Sequence, residues 1–163
     1  MAIRSSDPAI LGSVFSAFDD LLAPLRRPPR RQVAALCWRH GRKGRVEVLL
    51  VTTRRTGRWT PPKGNLMRGR TAAASAAREA WEEAGVRGRV RARPLGAFRS
   101  EKQRDGGLVE RTRVSLFALE VGSLSDKHPE AELRRRTWFP QAEAAAMVRE
   151  RDLAALIREF DPA

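Results

Sequence analysis

Residues 64 to 86 read GNLMRGRTAAASAAREAWEEAGV, and this stretch is the most informative part of the sequence. Its central part is rich in alanine, the residue with the highest helix propensity, so it predicts a helix. Thr71 is a suitable N-cap residue, and Gly85 suits the left-handed position that commonly ends a helix. The small apolar residues that would face a sheet are Ala73, Ala76, Ala77, Ala80 and Ala84.

Three glutamates share one face of this predicted helix. Glu79, Glu82 and Glu83 fall within an arc of about 100°, because residues three and four positions apart are neighbours on a helix surface. Their mutual repulsion is expected to raise at least one carboxyl pKa unless a cation binds between them. Carboxylate oxygens are the usual protein ligands of Mg²⁺, so the pattern predicts a Mg²⁺ site, with Mn²⁺ as the alternative metal.

The spacing of the whole stretch resembles the Nudix box of pyrophosphate-cleaving hydrolases, G-x5-E-x7-R-E-U-x-E-E-x-G-U, where U is aliphatic. Six of the seven fixed positions match in register, and Arg70 stands in place of the first glutamate. An isolated E-x-x-E-E is more typical of a solvated charged face, but the full spacing favours the hydrolase. The resemblance implies an α/β fold, the Nudix α/β/α sandwich with a mixed central β-sheet.

The resemblance also implies roles for the box residues. It assigns Glu79, Glu82 and Glu83 as metal ligands, and Arg78 as the residue that orients the box by bonding across it. The reaction it implies is the attack of water on a phosphoanhydride, in which Mg²⁺ and basic side chains neutralise the phosphate oxygens.

The general base is open between a box glutamate and a carboxylate on a later loop. The loop candidates are Glu130 and Glu132, with Glu101 behind them. For each loop residue, a solvated acidic patch is the more ordinary interpretation. No Ser-His-Asp grouping stands out, and neither His40 nor His128 has companions at metal-ligand spacing, so nucleophilic enzyme chemistry is not supported.

The charge balance points to a polyanionic partner. The chain has a formal net charge of +13 on 18.2 kDa, more than a simple nucleotide requires. A generally basic, arginine-rich proteome is the alternative cause. Guanidinium groups suit phosphate oxygens, and many precede the carboxylate helix. The predicted substrate-binding set is Arg54, Arg55, Arg58, Lys63, Gly64, Arg70 and Lys102.

Arg70 is the departure from the box. Where the family has a glutamate that supports the box arginine, this chain has a second cation, so Arg78 must find another acid. The predicted metal ligands are unchanged, and we expect activity to be retained. Arg70 is expected to turn outward and contact the polyphosphate of the substrate.

Two flanking segments narrow the resemblance. Residues 59 to 64, WTPPKG, and residues 132 to 139, ELRRRTWF, look like the diphosphoinositol polyphosphate phosphohydrolase branch and its bacterial relatives. The similarity covers about residues 31 to 160. It implies that the substrate is an inositol pyrophosphate or a dinucleoside polyphosphate, both densely anionic small molecules.

The 163 residues fit one domain that is preceded by an N-terminal extension. Residues 1–30 predict an amphipathic helix followed by a linker rich in proline and arginine, and residues 31–163 predict the Nudix domain. The helix is expected to dock on the core rather than to act as a targeting element. Strands are predicted over 32–39, 46–53, 86–98, 109–121 and 136–140, a polar loop over 100–107, and helices over 141–148 and 152–160.

Composition predicts a small cytoplasmic enzyme. Cys37 is the single cysteine and lies in an apolar run, which predicts a buried strand residue, and no run approaches a membrane span. The prediction is a monomer or homodimer. Two other functions stay open: an RNA 5′-pyrophosphohydrolase, which the absence of tyrosine disfavours, and a non-catalytic module that binds a phosphorylated ligand.

Overall fold

A helix over residues 72 to 84 forms as the sequence predicts. The computed structural model describes residues 30–103 and 109–162, and its first described helix, α1, is Ala72–Ala84. The Thr71 hydroxyl accepts a hydrogen bond from the backbone N–H of Ala74 at 3.1 Å, which confirms the N-cap. Gly85 ends the helix with φ of 68°, which confirms the left-handed C-cap.

Eight strands form one mixed sheet in the described part of the chain. Its central path runs β3-β2-β1-β7-β5, with β4 on β1, β6 on β7 and β8 on β2. The β1–β7 pair is parallel and the other pairs are antiparallel. The strands are β1 Arg30–His40, β2 Val46–Thr52, β3 Trp59–Thr60, β4 Lys63–Asn65, β5 Val86–Val90, β6 Gly96–Gln103, β7 Val109–Leu124 and β8 Arg136–Pro140.

Helices cover both faces of this sheet, which confirms the predicted α/β/α sandwich. Strand β1 is buried on both sides because its side chains alternate between two apolar clusters. Val33 and Ala35 pack with α1, whereas Ala34 and Leu36 pack with the two C-terminal helices. Those helices are α2 Gln141–Met147 and α3 Arg151–Glu159, each within a residue or so of its predicted bounds.

Small side chains let α1 approach the sheet closely. Ala76, Ala80 and Ala84 have no exposed surface, and Ala73 is buried. Ala77 is only half-buried, so the predicted stripe is narrower than the sequence suggested and one edge of the helix faces outward. The depth at which α1 sits fixes how near its glutamates come to β4.

Two local features differ from, or refine, the sequence prediction. The loop predicted over 100–107 was partly wrong, because β6 continues to Gln103 and pairs with β7 up to Val109. The extended partner strand offers backbone hydrogen bonds that outweigh the polar composition. Pro61 and Pro62 separate β3 from β4, as expected for residues that cannot donate to a sheet ladder.

The remaining core predictions concern Cys37 and Trp59. Cys37 is fully buried, and its burial raises the pKa of its thiol above the ordinary range. The ring of Trp59 packs edge-on against Phe139 with centroids 5.2 Å apart, which confirms its packing role.

The predicted helix within residues 1–29 lies outside the described residues. No helix in the described ranges has the length and apolar character needed to cross a membrane.

Thr71→Ala is expected to lower the free energy of unfolding by about 1 kcal/mol, because the backbone N–H of Ala74 loses its acceptor. Urea denaturation followed by circular dichroism measures the loss. Thr71→Ser keeps the hydroxyl and is the matched control, expected within about 0.5 kcal/mol of the parent. Equal losses in the two variants would contradict the capping role.

Candidate active site

Glu83 is a carboxylate buried at the C-terminal end of α1. Its side chain is only 7% exposed. One oxygen, Oε2, accepts a hydrogen bond from the backbone N–H of Lys63 at 3.2 Å. The other, Oε1, accepts one from Nη2 of Arg134 at 2.5 Å. Glu83 therefore joins the box helix to β4 on one side and to the segment before β8 on the other.

Glu79 lies one helical turn earlier and packs against the backbone of Gly64. A Cβ atom added to Gly64 would collide with the Glu79 carboxylate where it lies, so a larger residue would displace that side chain. Gly64 was predicted to bind substrate through its backbone. The structure gives it a definite packing role against Glu79, and its contact with substrate stays a prediction.

Arg134 is the residue that sequence reasoning missed. Its side chain is 9% exposed, and its guanidinium donates to three acceptors. Nη2 bonds Glu83, Nε bonds Glu130 Oε2 at 2.5 Å, and Nη1 bonds the backbone oxygen of Thr52 at 3.0 Å. The planar fork of arginine suits such a divided set of acceptors. The sequence signal was the four-residue spacing of Glu130 and Arg134, which is typical of an ion pair on a helical turn.

The loop that carries Glu130 is fixed to the end of α1. The backbone N–H of Glu130 donates to the Glu82 carbonyl oxygen at 3.0 Å, and Nδ1 of His128 lies 3.0 Å from the same oxygen. Glu130 therefore reaches the acidic cluster, as one of the predicted base candidates. Glu132 is exposed and away from these contacts, and Glu101 pairs with Arg111 on the β6–β7 hairpin at 3.5 Å.

Arg78 bonds along the helix. Its Nε donates to Glu82 Oε1 at 2.5 Å, four residues on. The prediction had Arg78 bonding across the box, and Glu82 free to bind metal. In the structure the two are partners, so the acid that Arg78 needs in the absence of a box glutamate at position 70 is Glu82.

Burial and like charge raise the pKa of two site carboxyls. Burial lifts the pKa of Glu83 from the ordinary 4.5 to about 7, and the charges of Glu79 and Glu130 add to this. Burial also raises the pKa of Glu79, with further contributions from Glu82 and Glu130. Arg134 opposes both shifts. The expected crowding of acids is thus present, and Glu130 from the later loop joins the three glutamates of the helix.

The carboxylates of the cluster are suitable ligands for a hard cation, although two of them form ion pairs with arginines. Within residues 30–103 and 109–162, no three Asp, Glu, His or Cys side chains converge closely enough to hold an ion as they lie. Two box acids are engaged, Glu83 by Arg134 and Glu82 by Arg78. Oxygen-only donors with raised pKa values fit a divalent cation, which would compete with these guanidiniums.

The predicted substrate-binding residues fall into different places. Arg54 lies in the β2–β3 turn, 4.0 Å from Glu130, and so borders the acids. Arg55 and Arg58 are exposed in the same turn, and Lys63 contributes its backbone N–H to Glu83. Arg70 is exposed and lies beside Ala77 and Trp81, on the side of α1 that is remote from Glu79. Lys102 is on β6 and pairs with Glu110 on β7, and its side chain is outside the described part of the structure.

The sequence profile of the NUDIX domain matches residues 30–160, which covers the sheet, α1 and the acidic loop. This chain belongs to the Nudix family. That finding confirms the resemblance carried by the box.

Individual relatives agree with this assignment. The chain is 32% identical to Nudix hydrolase 13, mitochondrial, of Arabidopsis thaliana over 72% of this chain and 61% of the relative. It is 34% identical to diphosphoinositol polyphosphate phosphohydrolase 3-alpha of Mus musculus over 68% of this chain and 63% of the relative. This Nudix chain thus spans about three fifths of the length of both relatives.

A solved structure supports the fold. The C. elegans Ap4A hydrolase superposes with a TM-score of 0.57 and 20% sequence identity, covering 82% of this chain and 96% of that chain. At this identity the likeness concerns the architecture of the Nudix domain.

Arg134→Met is expected to destabilise the protein by about 3 kcal/mol, because it leaves the buried carboxylate of Glu83 beside Glu130 without a cation between them. Urea denaturation at pH 7 in EDTA measures the change. Arg135→Met, at the exposed neighbouring position, is the control, with an expected change within about 0.5 kcal/mol. Equal effects at the two positions would rule out the proposed tie.

The free energy of unfolding of the metal-free protein should fall as the pH rises from about 4.5 to about 7, because of the Glu83 carboxyl. In this window the unfolded chain releases the Glu83 proton while the folded chain, with its pKa of about 7, retains it. The stabilisation that protonated Glu83 gives the folded state is therefore complete below pH 4.5. Glu83→Gln does not titrate, so the melting temperature of the parent minus that of the variant should fall between pH 5 and pH 8 in EDTA. A constant difference would contradict the raised pKa.

Proposed function

We propose that this Nudix protein hydrolyses a phosphoanhydride bond in a polyphosphorylated small molecule, with Mg²⁺ as the cofactor and Mn²⁺ as the alternative. The observation that carries the proposal is the gathering of Glu79, Glu83 and Glu130 beside a basic turn. Acids alone would repel a phosphate, so their function requires a cation. The names of the relatives, which include hydrolases and a diphosphoinositol polyphosphate phosphohydrolase, support the same chemistry.

The acids of α1 would hold the metal. Glu83 supplies buried oxygens and Glu79 half-buried ones, and Glu82 is the third predicted ligand, one that must exchange Arg78 for the ion. When bound, Mg²⁺ neutralises phosphate oxygens and favours attack by water. The protein's own contribution is positioning, because the Lys63 N–H bonds Glu83 and the lack of a side chain at Gly64 leaves room for the Glu79 carboxylate.

Glu130 is the proposed proton acceptor among the loop acids. Its backbone is held by the Glu82 carbonyl oxygen, and one carboxylate oxygen is held by Arg134. The second oxygen, Oε1, faces Arg54 at 4.0 Å, a separation that leaves it available to a water molecule. Glu132 has no comparable support, so we place it outside the reaction.

The substrate is proposed to be an inositol pyrophosphate or a dinucleoside polyphosphate. Arg54, Arg55 and Arg58 project from the turn next to Glu130, so a phosphate held by the turn lies beside the proton acceptor. A net charge of +13 suits a substrate with many phosphate groups. Mono- and diphosphates offer fewer contacts to these guanidiniums.

Phosphate release should depend on Mg²⁺ and on the box acids. We expect Glu83→Gln to lower kcat/KM at least about a hundredfold, and Glu82→Gln to lower it as well. The panel contains an inositol pyrophosphate, a dinucleoside tetraphosphate, a nucleoside triphosphate and a 5′-triphosphorylated RNA, each with and without Mg²⁺. Glu143→Gln, at an exposed position on α2, is the matched charge-removing control and should retain activity.

Each other outcome of this panel rejects a defined part of the proposal. Equal turnover by Glu83→Gln and the parent would remove the metal site from the acidic cluster. Turnover confined to RNA would replace the small-molecule substrate by an RNA 5′ end. Binding of these ligands with no turnover in Mg²⁺ or Mn²⁺ would make the protein a phosphorylated-ligand-binding module.

A further inference from the structure

A second basic site lies on the outer flank of α1. A groove of about 370 Å³ runs between this helix and β5. Three arginines and a tryptophan line it together with small or aliphatic side chains. The residues that matter here are Arg70, Arg78, Arg87, Trp81, Ala77 and Val90.

The groove is separate from the acidic cluster. Ala77 and Trp81 each stand two positions from Glu79, which places them about 200° away from it around the helix axis. The helix body therefore lies between the groove and the carboxylates of Glu79 and Glu83. The Arg78–Glu82 ion pair marks the boundary between the two surfaces.

The groove carries more positive charge than its neighbours balance. Arg78 is paired with Glu82, but no carboxylate in residues 30–103 and 109–162 lies within 4.0 Å of the Arg70 or Arg87 side chain. Arg87 instead places its guanidinium over the Trp81 ring, 3.9 Å from the ring centroid. Two cations thus face one concavity, in the place where the family pattern would put the box glutamate at position 70.

The shape and polarity of the groove suit an anion. Its lining includes the apolar side chains of Ala77 and Val90, and such low-dielectric walls concentrate the field of nearby charges. Trp81 limits the freedom of the Arg87 side chain, so less entropy is lost when that guanidinium binds. Guanidinium forks pair with phosphate oxygens in a bidentate manner.

We propose that the groove between α1 and β5, walled by Arg70, Arg87 and Trp81, binds an oligophosphate anion at a second site that is distinct from the acidic cluster. The ligand class is a short chain of linked phosphates, free or carried by a nucleoside. Arg70 and Arg87 hold its oxygens, and Arg78 stays with Glu82. The site does not require the chain to be an active hydrolase.

Calorimetric titration with inorganic tripolyphosphate, in EDTA and at constant ionic strength, tests this second site on the full chain. Arg70→Gln and Arg87→Gln are each expected to weaken binding about tenfold, the loss of one charge-assisted contact. Arg93→Gln removes one charge from an exposed position outside the groove and should change affinity less than about twofold. Equal weakening by all three variants would mean that general charge, and not the groove, attracts the anion.

A second comparison separates the groove from the candidate active site. Glu83→Gln should bind tripolyphosphate in EDTA as the parent does, because the acidic cluster lies on the other side of α1. Loss of binding in Glu83→Gln together with normal binding in Arg87→Gln would overturn the proposal. Its failure is distinct from failure of the proposed hydrolysis, which is measured with Mg²⁺ by phosphate release.

ATP identifies the source of the phosphate chain. Binding of ATP with the same dependence on Arg70 and Arg87 supports a chain carried by a nucleoside, whereas binding of tripolyphosphate alone supports a free oligophosphate. A single-stranded RNA with a 5′ hydroxyl, which has phosphodiesters but no linked phosphates, is the contrasting probe. Preferential, groove-dependent binding of that RNA would overturn the assignment of an oligophosphate.

Discussion

The guanidinium of Arg134, enclosed between the carboxylates of Glu83 and Glu130, is the contact on which the site depends. Glu83 is buried and has an acidic neighbour on each side, a combination that disfavours its charge. A rigid planar cation opposes that effect and also satisfies the Thr52 carbonyl oxygen. The acids can therefore share one small volume before any metal arrives. Without this arginine, the burial of a charged Glu83 beside Glu130 would cost more free energy.

Local chemistry made much of the fold predictable. Thr71, the alanines and Gly85 specify α1 through capping and propensity, which act within a few residues along the chain. The spacing of Glu79 and Glu83 fixes their shared face for the same reason. The two-sided burial of β1 likewise follows from its continuous apolar run.

Contacts between distant segments set the limit of such prediction. Arg134 and Glu83 are 51 residues apart, so no periodicity of either segment indicates that they meet. The direction of Arg70 depends on how α1 lies against β5, a feature of packing rather than of the box. The extension of β6 to Gln103 was missed for a related reason, since the partner strand and not the local composition decides it.

The long separation between the two halves of the site has a consequence for the order of assembly. The box helix and its caps can form from neighbouring residues, but the clamp on Glu83 waits until the segment before β8 reaches β2. Contacts of such high sequence separation bear the larger loop-closure entropy and tend to form late. During synthesis, the acidic helix therefore emerges well before its guanidinium partner. A half-made chain would carry the recognisable signature of the family yet lack the means to hold its acids together.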